Sequence, residues 1–306
     1  MIDEQSGEAF VIPGGPWIGR SLTTLAAGLA RLPRRSPITA FAVAVVVALT
    51  VVAVFAPVVA PHDPLALHRA DRLLGPSRTY LLGTDQSGRD ELSRLIYGAR
   101  ISLWVGVAPI GLAVVVGTGI GLTSAYAGGA FDAAVQRLMD GAMAFPPLIL
   151  LLVVVSLMGV SLTAIVLALS FVFLPMINRV ARASTLSVMA LPFIESARAV
   201  GASPARIMLR YVVPNIAAPV VVVGTSLIGT AILAEASLSF LGFGLAPPQP
   251  TWGNMLSGDN RDIFQVAPWL AISPGVAIAV TVLAFNLIGD GLRDLLDPYS
   301  KGGRKR

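Results

Sequence analysis

The sequence predicts an all-α membrane protein with six transmembrane helices and a charged, helix-forming segment on one side of the membrane. Of its 306 residues, 55% are hydrophobic and only 13% are charged, whereas a soluble domain carries about 25% charged residues. The charged residues are also unevenly placed, and several long stretches contain none. These observations exclude an ordinary soluble domain.

The uncharged stretches give the spans in chain order, because roughly 20 apolar residues cross the hydrocarbon core of about 30 Å. The second stretch, 101–131, becomes rich in glycine and alanine toward its end, so we expect its helix to end near Tyr126. The third stretch, 141–178, would form one helix of about 57 Å at 1.5 Å per residue, which is too long for one span. We therefore expect two spans there, joined by a turn at Met158–Ser161. This interpretation gives six helices, with five as the main alternative. The stretches are 38–60, 101–131, 141–178, 211–234 and 263–289.

The first 37 residues hold a candidate amphipathic helix. Five apolar residues recur there at spacings of 4, 3, 4 and 3, which places them on one face of a helix. Such a helix would lie in the headgroup plane, or alternatively pack on a partner subunit. Early acidic residues and the length of the first apolar run favour a retained span over a signal peptide. The five are Ile18, Leu22, Leu25, Leu29 and Leu32.

Basic residues predict the orientation, because Lys and Arg are enriched on the cytoplasmic side. With six spans and a cytoplasmic N-terminus, 15 of the 22 basic residues fall inside the cell. We therefore expect a multi-pass protein of the cytoplasmic membrane with both termini inside. The predicted organisation is a cytoplasmic segment 1–37, a first span 38–60, an extracytoplasmic loop 61–100, a five-helix core 101–290 and a cytoplasmic tail 291–306.

The most informative stretch is the charged segment 195–214, which we call the coupling segment. It follows one apolar run, and all its charged residues come before the 24 uncharged residues 211–234. Glu195 would lie in the first turn of a short helix, and Gly201 at the position after its end, where positive φ is common. Ser203 and Pro204 then suit the N-cap and first position of a second helix, ending before Pro214. An ordinary solvated loop is the alternative.

These residues resemble the cytoplasmic loop of the permeases of ATP-binding-cassette importers. That pattern begins Glu-Ala-Ala, has a glycine six residues after the glutamate, and ends Ile-x-Leu-Pro. Ser196 replaces the first alanine here, and Tyr211–Val213 replaces Ile-x-Leu. The matching positions are Glu195, Ala197, Gly201 and Pro214.

Further motifs resemble the second permease of the dipeptide, oligopeptide and nickel importers. They run through residues 31 to 298, nearly the whole chain. The resemblance implies the type I importer permease fold, with the coupling segment as a cytoplasmic coupling-helix loop. The motifs are Leu82–Leu103, Glu235–Gly244, Pro250–Gly253 and Gly289–Pro298.

The resemblance implies a complex and assigns the energy source to other chains. The expected partners are a second, similar permease, two ATP-binding-cassette ATPase subunits or a fused pair, an extracytoplasmic substrate-binding protein and the bilayer. This chain has no phosphate-binding Gly-x-x-x-x-Gly-Lys-[Ser/Thr] motif. We therefore expect no catalytic residue and no cofactor on it, with ATP and Mg²⁺ on the ATPases. The implied cargo is di- or oligopeptides, with nickel, haem or another small solute as the alternative.

The candidate site residues are those of the coupling segment together with one acid at the end of a span. Glu195 would either pair with an ATPase arginine or stabilise its own helix start. Glu235, at the outer end of the fifth span, is a candidate for the pore or for a subunit interface, because a carboxylate facing lipid is costly. The expected ATPase-coupling residues are Glu195, Ala197, Arg198, Gly201, Ser203, Pro204, Arg206 and Pro214.

Other function classes fit the sequence less well. A stand-alone channel or ion-coupled carrier would need acids or histidines within its spans, and these spans hold almost none. A membrane enzyme would need a nucleophile with its base, and no such pair accompanies the spans. The chain has no cysteine, and we expect no metal site at His62, Asp63 and His68. The basic residues lack interleaved aromatics, so we expect no nucleic-acid partner.

Overall fold

The computed structural model describes residues 37–257 and 264–296, and within these ranges the chain is helical with connecting loops. The N-terminal amphipathic helix, most of the tail and Arg261 lie outside the described residues. The helices are α1 (Pro37–Val54), α2 (Ala56–Val59), α3 (Glu91–Ala127), α4 (Gly129–Met143), α5 (Pro147–Met158), α6 (Leu162–Met189), α7 (Pro192–Ala199), α8 (Pro204–Arg206), α9 (Val213–Phe240), α10 (Trp252–Met255) and α11 (Trp269–Leu296).

Five described helices are long and apolar enough to cross a membrane, and a bent pair supplies the sixth candidate. The predicted all-helical membrane architecture of six spans, with five as the alternative, is confirmed. The single-helix spans are Pro37–Val54, Glu91–Ala127, Leu162–Met189, Pro204–Phe240 and Trp269–Leu295.

The start of the second span was predicted ten residues too late. Helix α3 begins at Glu91 rather than at 101, because Asp90 caps it by accepting a hydrogen bond from the Ser93 N–H at 2.9 Å. Its 37 residues give a length of about 55 Å, well beyond the hydrocarbon core. The predicted loop 61–100 therefore ends at Asp90.

The third span is broken, which the uncharged run did not indicate. Helices α4 and α5 meet at an angle of 93°. Pro146 and Pro147 explain the break, because proline has no N–H to donate within a helix and suits the first position of a new one. The predicted turn before α6 is confirmed, with Gly159 at φ +77° and Ser161 accepting from the Ala164 N–H.

Small residues let α3 and α6 approach closely. An ideal Cβ on Gly121 would lie 2.6 Å from the Asn178 carbonyl oxygen, and one on Gly117 would lie 3.0 Å from that of Leu174. Gly224 is similarly close to Val114, at 3.0 Å. Gly119 lies on the same helix but differs from these three, because a Cβ there would meet nothing within 4 Å.

The bundle has two ends, which we name from the predicted topology. The inner end holds α7, α8 and the start of α9. The outer end holds the loop 60–90, the start of α3, and the segment 240–257 with α10. Three apolar clusters lie along the bundle: one in its middle around Ile165 and Leu169, one toward the outer end around Trp252, and one at the inner end around Ile194.

Candidate functional site

Helix α7 opens the coupling segment as predicted. Pro192 lies at its start, where the missing N–H costs nothing, and Glu195 lies in its first turn. Ile194 and Ala197 are buried on its underside. Ala197, one of the expected ATPase-coupling residues, is therefore placed to seat α7 on the bundle rather than on the exposed surface of the segment.

Gly201 ends α7 in the conformation that the sequence predicts, with φ +79°. Two hydrogen bonds close the turn, from the Ala202 N–H to the Ala197 oxygen at 3.0 Å and from the Gly201 N–H to the Arg198 oxygen at 2.9 Å. This is the Schellman pattern of helix ends. An ideal Cβ at Gly201 would meet nothing within 4 Å, so the need for glycine comes from the backbone conformation alone.

The second helix also begins as predicted. The Ser203 hydroxyl accepts from the Arg206 N–H at 3.4 Å, and Pro204 lies at the first helical position. The predicted stop before Pro214 is wrong, because the helix continues through a π-helical segment, Ile207–Val212, into α9. The wider turn, in which the Val213 N–H donates to the Met208 oxygen, leaves Pro214 in the first turn of α9, where proline is tolerated.

The charged side chains of this segment point away from the bundle. Glu195, Arg198, Arg206 and Arg210 are exposed, and no described residue forms an ion pair with any of them. Apolar side chains stand among them: Val200 is 85% exposed and Leu209 is 69% exposed. A mixed charged and apolar surface of this kind is suited to docking another protein.

A small apolar core attaches this surface to the long helices. It joins α7 and the π-helical segment to the inner ends of α3, α6 and α9, so the segment is seated on three spans rather than on a flexible loop. A displacement of the segment would therefore move those helix ends. The core consists of Leu122, Val188, Ile194, Ile207, Val212 and Ile216.

Two ion pairs near the inner end connect α4 to α6. Asp132 accepts from Arg182 Nε at 2.8 Å, and Asp140 accepts from Arg179 at 2.9 Å. Sequence reasoning did not single out these residues, because their partners lie 50 and 39 positions apart and no local spacing links them. The pairs hold the bent third span against its neighbour.

Glu235, the candidate for the pore or for a subunit interface, is buried within this chain. Its side chain is 1% exposed and accepts from the hydroxyl groups of Ser239 at 2.7 Å and Thr251 at 3.3 Å. These bonds tie α9 to the start of α10, where Thr251 and Asn254 form a capping box. The carboxylate is therefore used within the chain to hold the outer segment 240–257.

Other charges at the outer end are likewise bound internally. Asp85 accepts from Arg89 Nε at 2.6 Å, Asp90 caps α3, and Glu91 accepts from the Ser273 hydroxyl at 2.9 Å. In the loop, Tyr80 donates to Asp71 at 2.9 Å, and this hydrogen bond raises the pKa of Tyr80. Asp85, Asp90 and Glu91 are all buried, so these acids hold the loop and the start of α3 together and are not part of an exposed surface.

Trp252 and Trp269 fasten the outer loops to the helices. Trp252 donates from its indole to the Leu95 oxygen at 3.0 Å and from its backbone to Ser102 at 3.0 Å. The Trp269 indole donates to the Thr84 oxygen at 3.3 Å. Within the described residues no group of three or more His, Cys, Asp or Glu side chains is placed to hold a metal ion.

Comparisons with known proteins identify relatives of this arrangement. The family model of the binding-protein-dependent transport system inner membrane component matches residues 117–301. The dipeptide transport system permease protein of Alkalihalophilus pseudofirmus is 40% identical over 257 residues, covering 84% of each chain. The glutathione transport system permease protein of Escherichia coli is 42% identical over 270 residues, covering 88% of this chain and 89% of that one. A solved amino acid ABC transporter with histidines aligns at TM-score 0.46 and 18% identity, over 69% of this chain and 94% of the other.

Proposed function

This chain belongs to the family of binding-protein-dependent transport system inner membrane components, and on that premise we propose that it is the permease subunit of an ATP-driven importer of dipeptides and oligopeptides. Its multi-pass helices form part of the translocation path. We infer the peptide cargo from the relatives that are named for dipeptide and glutathione transport, which match over more than four fifths of the chain. Family membership removes the stand-alone channel or carrier from consideration.

The complete importer contains further chains. A second, similar permease completes the path, two ATPase subunits or a fused pair bind ATP and Mg²⁺, and an extracytoplasmic protein delivers the peptide. This chain supplies no ATPase site, because its sequence has no phosphate-binding loop. The coupling segment and both chain termini face the cytoplasm, in line with the excess of Lys and Arg on that side.

The observation that carries this proposal is the exposed, internally unpaired surface of the coupling segment. Arg198 and Arg206 offer donors without acceptors among the described residues, while a buried core fixes the segment to three long helices. The segment thus acts as a rigid lever seated in an ATPase groove. When ATP closes the ATPase pair the lever moves, and the bundle changes between two states.

The roles within the segment follow from burial. Glu195, Arg198, Ser203, Pro204 and Arg206 form the contact surface, since all five are exposed. Gly201 shapes the turn between the two helices. Ala197 and Pro214, which are buried and half-buried, act indirectly, by seating α7 and by starting α9.

Reconstitution of the complete importer tests this function. The purified complex is placed in proteoliposomes with its binding protein, and ATP-dependent uptake of a labelled dipeptide is measured. Unlabelled tripeptide, glutathione, nickel and haem serve as competitors. We expect peptide uptake that requires ATP and is displaced by peptides. Uptake of nickel or haem without uptake of any peptide would replace the proposed cargo by the alternative one.

A further inference from the structure

An open pocket at the outer end is lined by three arginines. It encloses about 550 Å³, within the usual range for small-molecule sites. Arg72, Arg89 and Arg94 line it together with Val160 of the α5–α6 turn and Asn254 of α10. None of the described residues that line it is acidic.

The charge of these arginines is only partly neutralised within the chain. Both oxygens of Asp85 are already engaged, one by the N–H groups of Ser87 and Arg89 at 2.8 and 2.9 Å and the other by Arg89 Nε at 2.6 Å. The same carboxylate is therefore the shared counter-charge of two guanidinium groups. Glu91, the next acid along the chain, accepts from the Ser273 hydroxyl.

Arg94 is the least satisfied of the three. Its side chain is buried, with the residue 5% exposed. Its Nε lies 3.6 Å from Asp85, and its other recorded contact is a 3.5 Å approach to the Pro64 oxygen. Both distances exceed those of a normal charge-assisted hydrogen bond. A buried guanidinium that faces a pocket with such weak partners is costly unless an anion completes it.

We propose that this pocket binds the C-terminal carboxylate of the peptide as it leaves the binding protein. The inference rests on the proposed function, because it takes the cargo to be a peptide. A carboxylate presents two oxygens in the plane that guanidinium groups match. With no acidic residue among the described lining residues, the pocket has no counterpart for the peptide's amino group. Recognition is therefore of the carboxyl end alone.

The burial of Arg94 favours a small ligand over an acidic side chain of the binding protein. Arg94 is buried whereas Arg72 is exposed, and residues of the segment 240–257 also line the pocket, so a carboxylate reaches Arg94 past Arg72 and this segment. A free peptide terminus can do this without deforming either loop. Glu235 and its bonds to Ser239 and Thr251 hold the loop side of the pocket in place.

The test measures binding to the intact complex in nanodiscs without the binding protein. The ligands are a dipeptide, its N-acetyl derivative and its C-terminal amide. The proteins are the wild type, Arg72→Gln and Arg78→Gln, an exposed arginine of the same loop outside the pocket. We expect the dipeptide and its N-acetyl derivative to bind equally and the amide about tenfold more weakly, because charged hydrogen bonds are lost.

Arg72→Gln should weaken dipeptide binding about tenfold and remove the preference over the amide, whereas Arg78→Gln should change neither. Equal binding of acid and amide by the wild type overturns the proposal, as does an absence of dipeptide binding. A second measurement adds the binding protein to the same nanodiscs. If Arg72→Gln weakens docking of that protein but not binding of the dipeptide, the carboxylate comes from the protein, and the proposal is again wrong. ATP-driven dipeptide uptake by the wild type separates these failures from failure of the proposed function.

Discussion

The acids of the outer end and the charged residues of the coupling segment are used in opposite ways. At the outer end Asp85, Asp90, Glu91 and Glu235 are buried and bonded within the chain. In the coupling segment the charged side chains are exposed and have no ion-pair partner among the described residues. These outer acids hold the protein's own loops in place, and the charges of the coupling segment stay available for the proposed partner.

This contrast separates charged residues that stabilise the fold from charged residues that are available to bind a partner. A buried charge must be paired within the chain, because leaving it unpaired is costly. An exposed charge that contacts only water contributes little to folding, so its placement on a shaped, well-seated surface needs another explanation. Docking of the ATPase supplies one for the coupling segment.

The largest effect is expected at Gly201. Gly201→Val should impair coupling of ATP hydrolysis to transport by about tenfold or more, because a β-branched residue at positive φ costs about 1–3 kcal/mol and the turn relaxes by changing shape. Measurement of peptide-stimulated ATPase activity and uptake in proteoliposomes checks this. Membrane insertion should be unaffected.

Gly159 provides the matched control, since its φ of +77° and its open surroundings equal those of Gly201. Gly159→Val places the same strain in the outer turn before α6, and coupling should stay near the wild-type value. Equal losses in the two variants would mean that strain anywhere in the bundle impairs transport, and the lever would lose its support.

Glu235→Ala should lower stability without changing the mechanism. Removing the carboxylate leaves the buried hydroxyls of Ser239 and Thr251 without their acceptor, so the free energy of unfolding should fall by about 1–3 kcal/mol. The exposed Glu195→Ala should leave it within about 0.5 kcal/mol. Thermal unfolding of the purified complex compares the two. Unchanged stability with lost transport in Glu235→Ala would restore the pore role.

Removing the helix cap at the outer end should lower stability more than removing the cap in the coupling segment. Asp90→Ala removes two buried hydrogen bonds, to the Ser93 N–H at 2.9 Å and to its hydroxyl at 2.6 Å, and should cost about 1–2 kcal/mol. Ser203→Ala removes one exposed bond of 3.4 Å and should cost about 0.5 kcal/mol. A larger melting-temperature loss for Ser203→Ala would mean that the coupling segment is a structural element of the fold.

The smallest effect should come from Glu195→Gln. A solvent-exposed ion pair is worth about 0–1 kcal/mol, so affinity for the ATPase subunits should fall less than fivefold. The difference from wild type should vanish at high salt, which screens exposed charges. Binding measured at two ionic strengths distinguishes pairing with an ATPase residue from stabilisation of α7's own start, which would leave the affinity unchanged.

The inner end could be predicted almost completely from the sequence because its signals are local. Glycine after a short helix and the Ser203–Pro204 pair specify the turn within ten residues, and the structure shows both. Continuation of the helix through Pro214 was missed, since a π-helical segment has no sequence signature comparable to a cap. Burial of Ala197 was missed for a different reason, because the surface that covers it comes from distant helices.

The outer end could not be predicted in the same way, because its contacts link distant parts of the chain. Glu235 and Thr251 are 16 residues apart, and Trp252 and Ser102 are 150 apart. A carboxylate at the end of an apolar run is compatible with a pore, an interface or internal bonding. The internal bonding becomes visible only in the folded arrangement, which brings Thr251 beside Glu235.

Site-directed crosslinking tests most directly the claim that the coupling segment docks the ATPase. The chain has no cysteine, so a photoactivatable label on the single cysteine of Val200→Cys or of Leu157→Cys marks one position only. The two residues are 85% and 83% exposed. In the assembled importer, with cysteine-free partners, the account predicts an ATPase adduct from position 200 and none from position 157. An absence of ATPase adducts from position 200, or equal yields from both positions, would contradict it.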